Sequence, residues 1–264
     1  MMVGRIVAGA MALLMPNATT AEPAGRLRAQ YVVTLAGITI GRGGWVVEIG
    51  EDRFAARGRG GASGLVRWIS SGHGTASAEG GVAQGQPLAA RYDYESTTAK
   101  KYDEVHLRIT DGMVTELTVD PPQPPHQRRV PLHPDDRIGV FDPITATLMR
   151  VAGTGETVAP EACQRTLPMF DGRMRYDLRL SFKRMERVTT TKGYQGPAVV
   201  CAVRFAPVAG HVPDRTTIKY LVGLETMEMW LAPIAGTRVV VPYRVTIPTP
   251  FGTAALTAEE FLTE

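Results

Sequence analysis

The chain has 264 residues, of which 44% are hydrophobic and 21% are charged, a composition typical of a globular protein with one large domain or two small ones. Its net charge of +3 comes from 29 basic and 26 acidic residues dispersed along the chain, so the sequence predicts no nucleic-acid partner. The 28 Gly and 19 Pro residues, with only 7% aromatic residues, favour many short strands and turns over long helices.

The N-terminus has the three parts of a secretory signal peptide. A short positive region ends at Arg5, an apolar region covers residues 6–15, and small residues lead to Ala21. The apolar run is shorter than the roughly 20 residues that span a bilayer, and no later run in the sequence is long enough. We therefore predict cleavage near Ala21, a periplasmic location, no transmembrane segment in the mature chain, and a single domain over residues 22–264.

The first half of the mature chain has the pattern of an antiparallel β meander. Tyr31 and Val33 alternate with polar or small residues, as in a strand with one buried face. The glycine-rich residues 57–64 lack the Gly-Lys-Ser/Thr ending of a phosphate-binding loop, so we interpret them as a turn or a tightly bent strand. Asp111-Gly112 lies between two alternating runs and predicts a hairpin turn.

Two different signals follow in the middle of the chain. Residues 121–134 are rich in proline, which predicts an extended surface connection. Asp142 precedes Pro143, and Gly153 follows apolar residues at helical spacing. These are the preferences of an N-cap, a first turn and a C-terminus. The sequence therefore predicts a short helix near residues 143–152 that covers the sheet.

Cys163 and Cys201 are the only cysteines in the sequence, and they bound a segment with two alternating runs. In residues 174–182 the even positions are apolar and the odd positions polar, and in residues 199–205 Cys201 falls among the apolar positions. In a secreted chain two such cysteines are typically oxidised. We predict a disulfide in a buried sheet, and the alternative is a metal or redox role for the pair.

The last part of the chain is predicted to contain further strands. The apolar residues 218–231 have no clean period, and we predict a strand over the end of that segment. Residues 239–247 alternate clearly. Because Pro242 and Pro248 cannot donate ladder hydrogen bonds, we place this strand near an edge of the sheet. A final strand or short helix is predicted over residues 253–262.

A set of short motifs runs from the middle of the chain to its last quarter. They are Phe141-Asp142-Pro143, Cys163, Phe170-Asp171-Gly172-Arg173-Met174-Arg175-Tyr176-Asp177-Leu178, Cys201, Pro207-Val208-Ala209-Gly210-His211, Trp230-Leu231-Ala232-Pro233 and Val241-Pro242. In this combination the chain resembles the domain of unknown function 3108 family over about residues 26–262. The resemblance implies a secreted or periplasmic bacterial protein with a largely antiparallel curved sheet, and it supplies no catalytic residues.

The predicted fold is mainly β, with a curved antiparallel sheet that forms an open or partly closed barrel or spiral. The short helix near residues 143–152 is expected to cover this sheet. Such an architecture is similar to the β-barrel-like folds of lipoprotein carriers and of envelope-integrity proteins. That likeness concerns the fold and does not by itself fix a function.

Candidate functional residues lie in the same motifs. His211, with Asp214 three residues later, has the residue types of a general base and its orienting acid. No serine-hydrolase elbow, His-Glu-x-x-His motif or Cys-x-x-Cys spacing occurs, and the five histidines lack ligand spacing. We therefore assign no catalytic residue, metal site or cofactor. The residues of a candidate functional surface are Asp171, Arg173, Arg175, Asp177, His211 and Trp230.

The leading functional hypothesis is a non-catalytic periplasmic envelope protein that binds a hydrophobic or amphipathic ligand or a protein partner in cell-envelope maintenance. A concave sheet with a cover leaves an apolar cavity in which a lipid or another amphiphile binds. The alternatives are an envelope hydrolase that uses His211 and a nearby carboxylate, and a purely structural scaffold. An apolar cavity favours the binding protein, His211 beside a carboxylate favours the hydrolase, and a filled interior with an exposed apolar patch favours the scaffold.

Overall fold

The structure, a computed structural model, describes residues 24–63 and 72–264. The predicted signal peptide lies outside the described residues. Within them, the fold consists of fifteen strands and one α-helix, α1 (Thr216–Gly223), with three short 3-10 turns. The strands are β1 (Gly25–Leu35), β2 (Ile38–Ile49), β3 (Arg53–Ala62), β4 (His73–Ala83), β5 (Gln86–Thr97), β6 (Tyr102–Thr110), β7 (Met113–Asp120), β8 (Met149–Arg150), β9 (Arg165–Phe170), β10 (Arg175–Thr189), β11 (Lys192–Gly193), β12 (Gln195–Ala209), β13 (Met227–Pro233), β14 (Val239–Thr249) and β15 (Gly252–Thr263).

The described strands form a single sheet that does not close into a ring. Its main path runs β7-β6-β5-β4-β3-β2-β1-β15-β14-β13-β12-β10-β9, with every neighbouring pair antiparallel. Off this path, β8 pairs with β14, and β11 pairs in parallel with β15. The first and last of the described strands, β1 and β15, thus pair in the middle of the sheet. This architecture confirms the predicted mainly β, antiparallel fold.

The meander from β1 to β7 follows the local signals of the sequence. Asp111 and Gly112 both have positive φ angles, 51° and 73°, which is the geometry of the tight hairpin turn predicted for Asp-Gly. The glycine-rich stretch is strand β3 for most of its length. This agrees with its interpretation as strand rather than as a phosphate-binding loop.

The ends of the sheet approach each other along a line that we call the seam. In the turn between β9 and β10, the Arg173 guanidinium donates to Asp103 on β6 at 2.5 Å and to the Pro121 carbonyl at 3.2 Å. Gly172 has φ 89°, and a Cβ there would lie 2.5 Å from a methyl carbon of Val105. Only glycine therefore fits at this point of the seam. Among the described strands no continuous hydrogen-bond ladder crosses the seam. Side-chain contacts hold the curved sheet together here.

Residues 138–151, which we call the strap, link the two halves of the sheet. Ile138 forms an isolated bridge with Met113 at the start of β7. Further along, Gln86 on β5 donates to the Leu148 carbonyl at 3.3 Å, and β8 pairs with β14. Because the strap contacts strands from both halves, it occupies part of the space that the curved sheet encloses.

The prediction of a helix near residues 143–152 is wrong. The Asp142 side chain accepts hydrogen bonds from the N–H groups of Ile144 and Thr145, each at 2.9 Å, so the expected cap is present. Only one 3-10 turn, Thr145–Thr147, follows before β8 begins. Leu148 and Met149 are neighbours in sequence but are buried in different hydrophobic cores. This requires an extended chain, because an extended chain places neighbouring side chains on opposite sides.

Two hydrophobic cores lie on the two faces of β12 to β14. The first core is formed with the meander, and the second lies under β9 and the segment that leads to it. Along β12, Ala198 and Val200 belong to the first core, whereas Val199 and Cys201 belong to the second. Cys201 is bonded to Cys163 with a Cα–Cα distance of 5.3 Å. The predicted disulfide is thus confirmed, and both of its cysteines are fully buried.

The strand β14 is not near an edge, so that prediction is wrong. It lies between β13 and β15 in the middle of the sheet path. Pro242 is opposite Leu231, at the point where the register of the β13–β14 pair shifts. A bulge is one of the places where a sheet tolerates proline, because the regular ladder is already interrupted there.

The helix α1 was missed by the sequence analysis, which predicted only strand in this region. It has eight residues and no side-chain hydrogen bond at its N-cap. Its Tyr220 and Leu221 pack against the second core, so tertiary contacts rather than local signals stabilise it. In the part of the chain that the structure describes, no helix has the length and the hydropathy needed to cross a membrane.

Candidate functional site

An apolar cavity of about 340 Å³ lies between the glycine-rich strands and the strap. One wall is formed by β1 to β3, and the opposite wall by the strap, β14 and β15. Its lining contains Tyr31, Val33, Arg42, Trp45, Arg59, Ile144, Thr147, Pro242 and Leu256, together with glycines of β2 and β3. Most of the accessible lining surface is apolar, so the cavity suits hydrocarbon better than a charged group.

Glycines on β3 leave the space that the cavity occupies. Phe54 and Ala56 are buried in the first core, so alternation along the strand places Gly58 and Gly60 on the same face of the sheet. A Cβ at Gly58 would lie 3.8 Å from its nearest neighbours, which include Cδ1 of Trp45. That is ordinary van der Waals contact. The position could therefore hold a side chain, and the absence of one keeps the cavity open.

The two large aromatic residues of the lining each carry one polar atom, and only one of these two atoms has a hydrogen-bond partner among the described residues. The Tyr31 hydroxyl donates to the Pro242 carbonyl at 2.7 Å, and burial raises the pKa of Tyr31, so this group stays a neutral donor. The indole Nε1 of Trp45 is buried and has no hydrogen-bond partner among the described residues. Buried donors are normally paired. The Trp45 N–H is thus a donor to which a bound oxygen atom could be matched.

The structure brings three of the sequence-predicted residues to the seam. Asp171 accepts hydrogen bonds from the N–H groups of Arg173 and Met174, at 2.8 and 2.7 Å, and burial raises the pKa of Asp171. Arg173 binds across the seam as described above. His211 follows Gly210, where a Cβ would collide with the Arg173 carbonyl at 2.1 Å. These contacts organise turns and the seam.

The other predicted residues lie elsewhere on the sheet. Arg175 and Asp177 form an ion pair at 2.6 Å along β10. Trp230 on β13 donates through Nε1 to Glu186 at 2.9 Å. The guanidinium carbons of Arg184 and Arg244 lie 5.4 and 5.0 Å from its ring centroid, a cation–π arrangement. The six residues therefore do not form one site.

His211 does not have the surroundings that the hydrolase hypothesis requires. Its side chain is buried, and Nδ1 has no hydrogen-bond partner among the described residues. Asp214, the predicted orienting acid, pairs instead with Arg128 at 2.6 Å and with Lys219 at 3.3 Å. Within residues 24–63 and 72–264, no three His, Cys, Asp or Glu side chains are grouped as metal ligands.

Sequence reasoning did not identify the residues of the cavity. The relevant signal was present, because Gly58 and its glycine neighbours follow a strand that contains Trp45. Locating the cavity also requires the register that places Trp45 opposite Gly58. It further requires the strap, whose Ile144 comes from more than eighty residues later in the chain.

Comparison with protein families matches the family described as "Protein of unknown function (DUF3108)" over residues 30–259. The chain belongs to this family. The match covers most of the sequence and confirms the resemblance seen in its motifs. Comparison with the curated proteins gives no match.

Two solved structures are similar to this DUF3108 protein. A β-barrel-like protein with domain of unknown function DUF1849 from Brucella abortus aligns with a TM-score of 0.53 and 11% sequence identity, covering 92% of this chain and 99% of the other. At that identity the likeness shows the fold alone, which is β-barrel-like. A protein described as a putative lipoprotein from Parabacteroides distasonis aligns with a TM-score of 0.33 and 9% identity, over 91% of this chain and 95% of the other.

Proposed function

We propose that this DUF3108 protein is a non-catalytic protein of the bacterial envelope that binds a hydrophobic or amphipathic ligand in the apolar cavity. The observation that carries the proposal is the cavity itself, lined by Tyr31, Trp45 and Ile144 and kept open by glycines on β3. Its volume of about 340 Å³ lies at the lower end of the range of small-molecule sites. A single alkyl or acyl chain is the ligand class that fits best.

The location that we propose is the periplasm, after removal of the N-terminal 21 residues. A buried disulfide between Cys163 and Cys201 is compatible with a compartment outside the reducing cytoplasm. An amphiphile is a component that such a compartment contains in its membranes. The unpaired N–H of Trp45 supports a ligand with an oxygen atom near its apolar chain.

The experiment that tests this proposal fills the cavity from Gly58. In Gly58→Leu the new Cβ meets only ordinary contacts, and the rest of the side chain extends into the cavity. We expect the dissociation constant for a fluorescent amphiphile, 11-(dansylamino)undecanoate, to rise at least tenfold, because the apolar surface for the chain is lost. Fluorescence titration measures this, and thermal unfolding verifies that the variant is folded.

The matched control is Gly155→Leu. Gly155 lies in an exposed loop, and a Cβ there has no neighbour within 4 Å. We expect it to bind the probe as the natural protein does. Equal affinity of the Gly58→Leu variant, or no binding of the probe to the natural protein, would reject ligand binding in this cavity and leave the scaffold hypothesis.

A further inference from the structure

The outer face of the meander carries a second concave surface, which we call the arginine groove. Its volume is about 740 Å³, well within the range of small-molecule sites. Since Phe54 and Ala56 of β3 are buried in the first core, Arg57 and Arg59, at the alternate positions of the same strand, point to the opposite face. The arginine groove and the apolar cavity thus lie on opposite faces of β2 and β3.

The strand register aligns the polar side chains of the arginine groove in two neighbouring rows. The first row contains Arg28, Arg57 and Ser77, and the second contains Gln30, Arg59 and Thr75. With strands about 4.8 Å apart and alternate residues about 7 Å apart, the three arginine Cα positions lie within roughly 12 Å of one another. Three guanidinium groups can therefore reach the same bound group.

The protein itself leaves two of these arginines unpaired and holds the third only weakly. Arg28 and Arg59 form no ion pair or side-chain hydrogen bond with any residue in the described ranges. Arg57 has only Glu79, at 3.9 Å, and both side chains are more than half exposed. A pair of this kind contributes at most about 1 kcal/mol and is readily exchanged for a ligand.

The groove also contains two carboxylates, Asp93 and Glu95, of which Asp93 is paired. Asp93 accepts hydrogen bonds from Arg91 and, at 2.7 Å, from His106 Nδ1. Burial alone would raise the pKa of Asp93, but these hydrogen bonds outweigh burial and lower it. Asp93 is thereby held as a paired carboxylate. Four arginines line the groove against these two carboxylates, so it keeps an excess of positive charge.

We propose that the arginine groove binds an acidic saccharide. Guanidinium groups bind carboxylate and phosphate oxygens in a planar, two-pronged manner, and Arg28, Arg57 and Arg59 supply three of them. Gln30, Thr75 and Ser77 line the same floor, and their amide and hydroxyl groups suit sugar hydroxyls. The acid of the saccharide is a carboxylate or a phosphate. This inference does not depend on a ligand in the apolar cavity.

Isothermal titration calorimetry of the purified protein at low ionic strength tests the proposal with three probes. Tetragalacturonate presents carboxylates, glucose 1-phosphate presents a phosphate, and cellotetraose is neutral. We expect at least one acidic probe to bind and cellotetraose not to bind. Arg28→Gln and Arg59→Gln should each weaken that binding at least tenfold, because each removes a charged two-pronged contact.

Arg108→Gln is the matched control. Arg108 is exposed on the same face of the sheet, on β6, but does not line the groove. We expect this variant to bind the acidic probe normally. Arg28→Gln and Arg108→Gln, whose residues do not line the apolar cavity, should bind the dansyl amphiphile with unchanged affinity. The probe that binds identifies the acid as carboxylate or phosphate.

Three results would overturn the assignment of an acidic saccharide. They are no binding of either acidic probe at millimolar concentration, equal binding of cellotetraose, and binding that persists in both the Arg28→Gln and Arg59→Gln variants. Because the dansyl amphiphile reports on the other face of the sheet, failure here is distinguishable from failure of the cavity proposal.

Discussion

Asp142 combines two opposing effects at one side chain. Its Oδ1 atom stabilises the entry into the strap through two backbone N–H groups. Its Oδ2 atom is buried without a partner among the described residues, and burial raises the pKa of Asp142 although hydrogen bonds to the carboxylate oppose the change. The residue is thus needed as a hydrogen-bond acceptor, while its charge is unfavourable.

This conflict leads to a prediction for two substitutions. When the pKa of a carboxyl is higher in the folded than in the unfolded protein, the carboxyl stabilises the folded protein fully at a pH below its unfolded pKa of about 3.9. This stabilisation is lost as the pH rises through the folded pKa. We expect Asp142→Asn to remove this pH dependence and to change stability at pH 7 by less than about 1 kcal/mol. Asp142→Ala should lose about 1–2 kcal/mol, because both backbone donors lose their acceptor. Urea unfolding between pH 4 and pH 8 measures both effects.

The comparison for Asp142 is the partly exposed Asp136, which also accepts a backbone N–H, from His133 at 2.8 Å. Asp136→Asn should change stability at pH 7 by less than about 1 kcal/mol. The quantity to compare is the difference in stability between the natural protein and Asp142→Asn. If this difference were the same at pH 4 and at pH 8, the charge of the buried carboxyl would not be unfavourable.

At the scale of elements, the seam depends on few contacts, and Arg173 provides two of them. Arg173→Ala leaves the Asp103 carboxylate and the Pro121 carbonyl without this donor. We expect a loss of about 1–3 kcal/mol and faster amide hydrogen exchange in β6 and β9, since the adjoining ends of the sheet would open more often. Hydrogen exchange followed by mass spectrometry localises the effect.

Arg204→Ala is the control for the seam. Arg204 pairs with Glu225 at 2.7 Å, but both side chains are more than half exposed, so its removal should change stability by less than about 1 kcal/mol. If Arg173→Ala behaved like Arg204→Ala and left exchange in β6 unchanged, Arg173 would have no role in holding the seam.

The disulfide joins the segment before β9 to the centre of β12. Cys163 and Cys201 are 38 residues apart, and in the loop-entropy model such a cross-link stabilises the folded protein by about 4 kcal/mol. We expect reduction, or the Cys163→Ser variant, to lower the urea midpoint accordingly. If a Cys163→Ser variant were as stable as the oxidised protein, the disulfide would not stabilise the fold.

Local signals predicted the elements whose geometry is decided by neighbouring residues. Asp111-Gly112 forms its hairpin because both residues accept positive φ, and Asp142 caps as expected. The helix α1 could not be predicted in this way. It starts with Thr216, Thr217 and Ile218, which are poor helix formers, and contacts with the second core stabilise it. Pro242 misled the placement of β14, since it lies at a bulge in β14 itself, where Tyr243 is the extra residue.

At the scale of the whole molecule, function depends on how distant segments meet. The sequence resemblance indicated the family and the curved antiparallel sheet. The apolar cavity, however, needs Trp45 beside Gly58 and the strap placed opposite them. The arginine groove needs the register of β1, β2 and β3. Neither arrangement is visible in any local pattern. The cavity needs a segment that is distant in sequence, and the groove needs the exact register of consecutive strands.

Native mass spectrometry of the protein purified without detergent from its own envelope tests the central claim most directly. We expect an excess mass that solvent extraction releases as an amphiphile with one apolar chain, and we expect Gly58→Leu to be purified without it while Gly155→Leu retains it. A natural protein that carries no excess mass and takes up no added amphiphile would contradict ligand binding in the cavity.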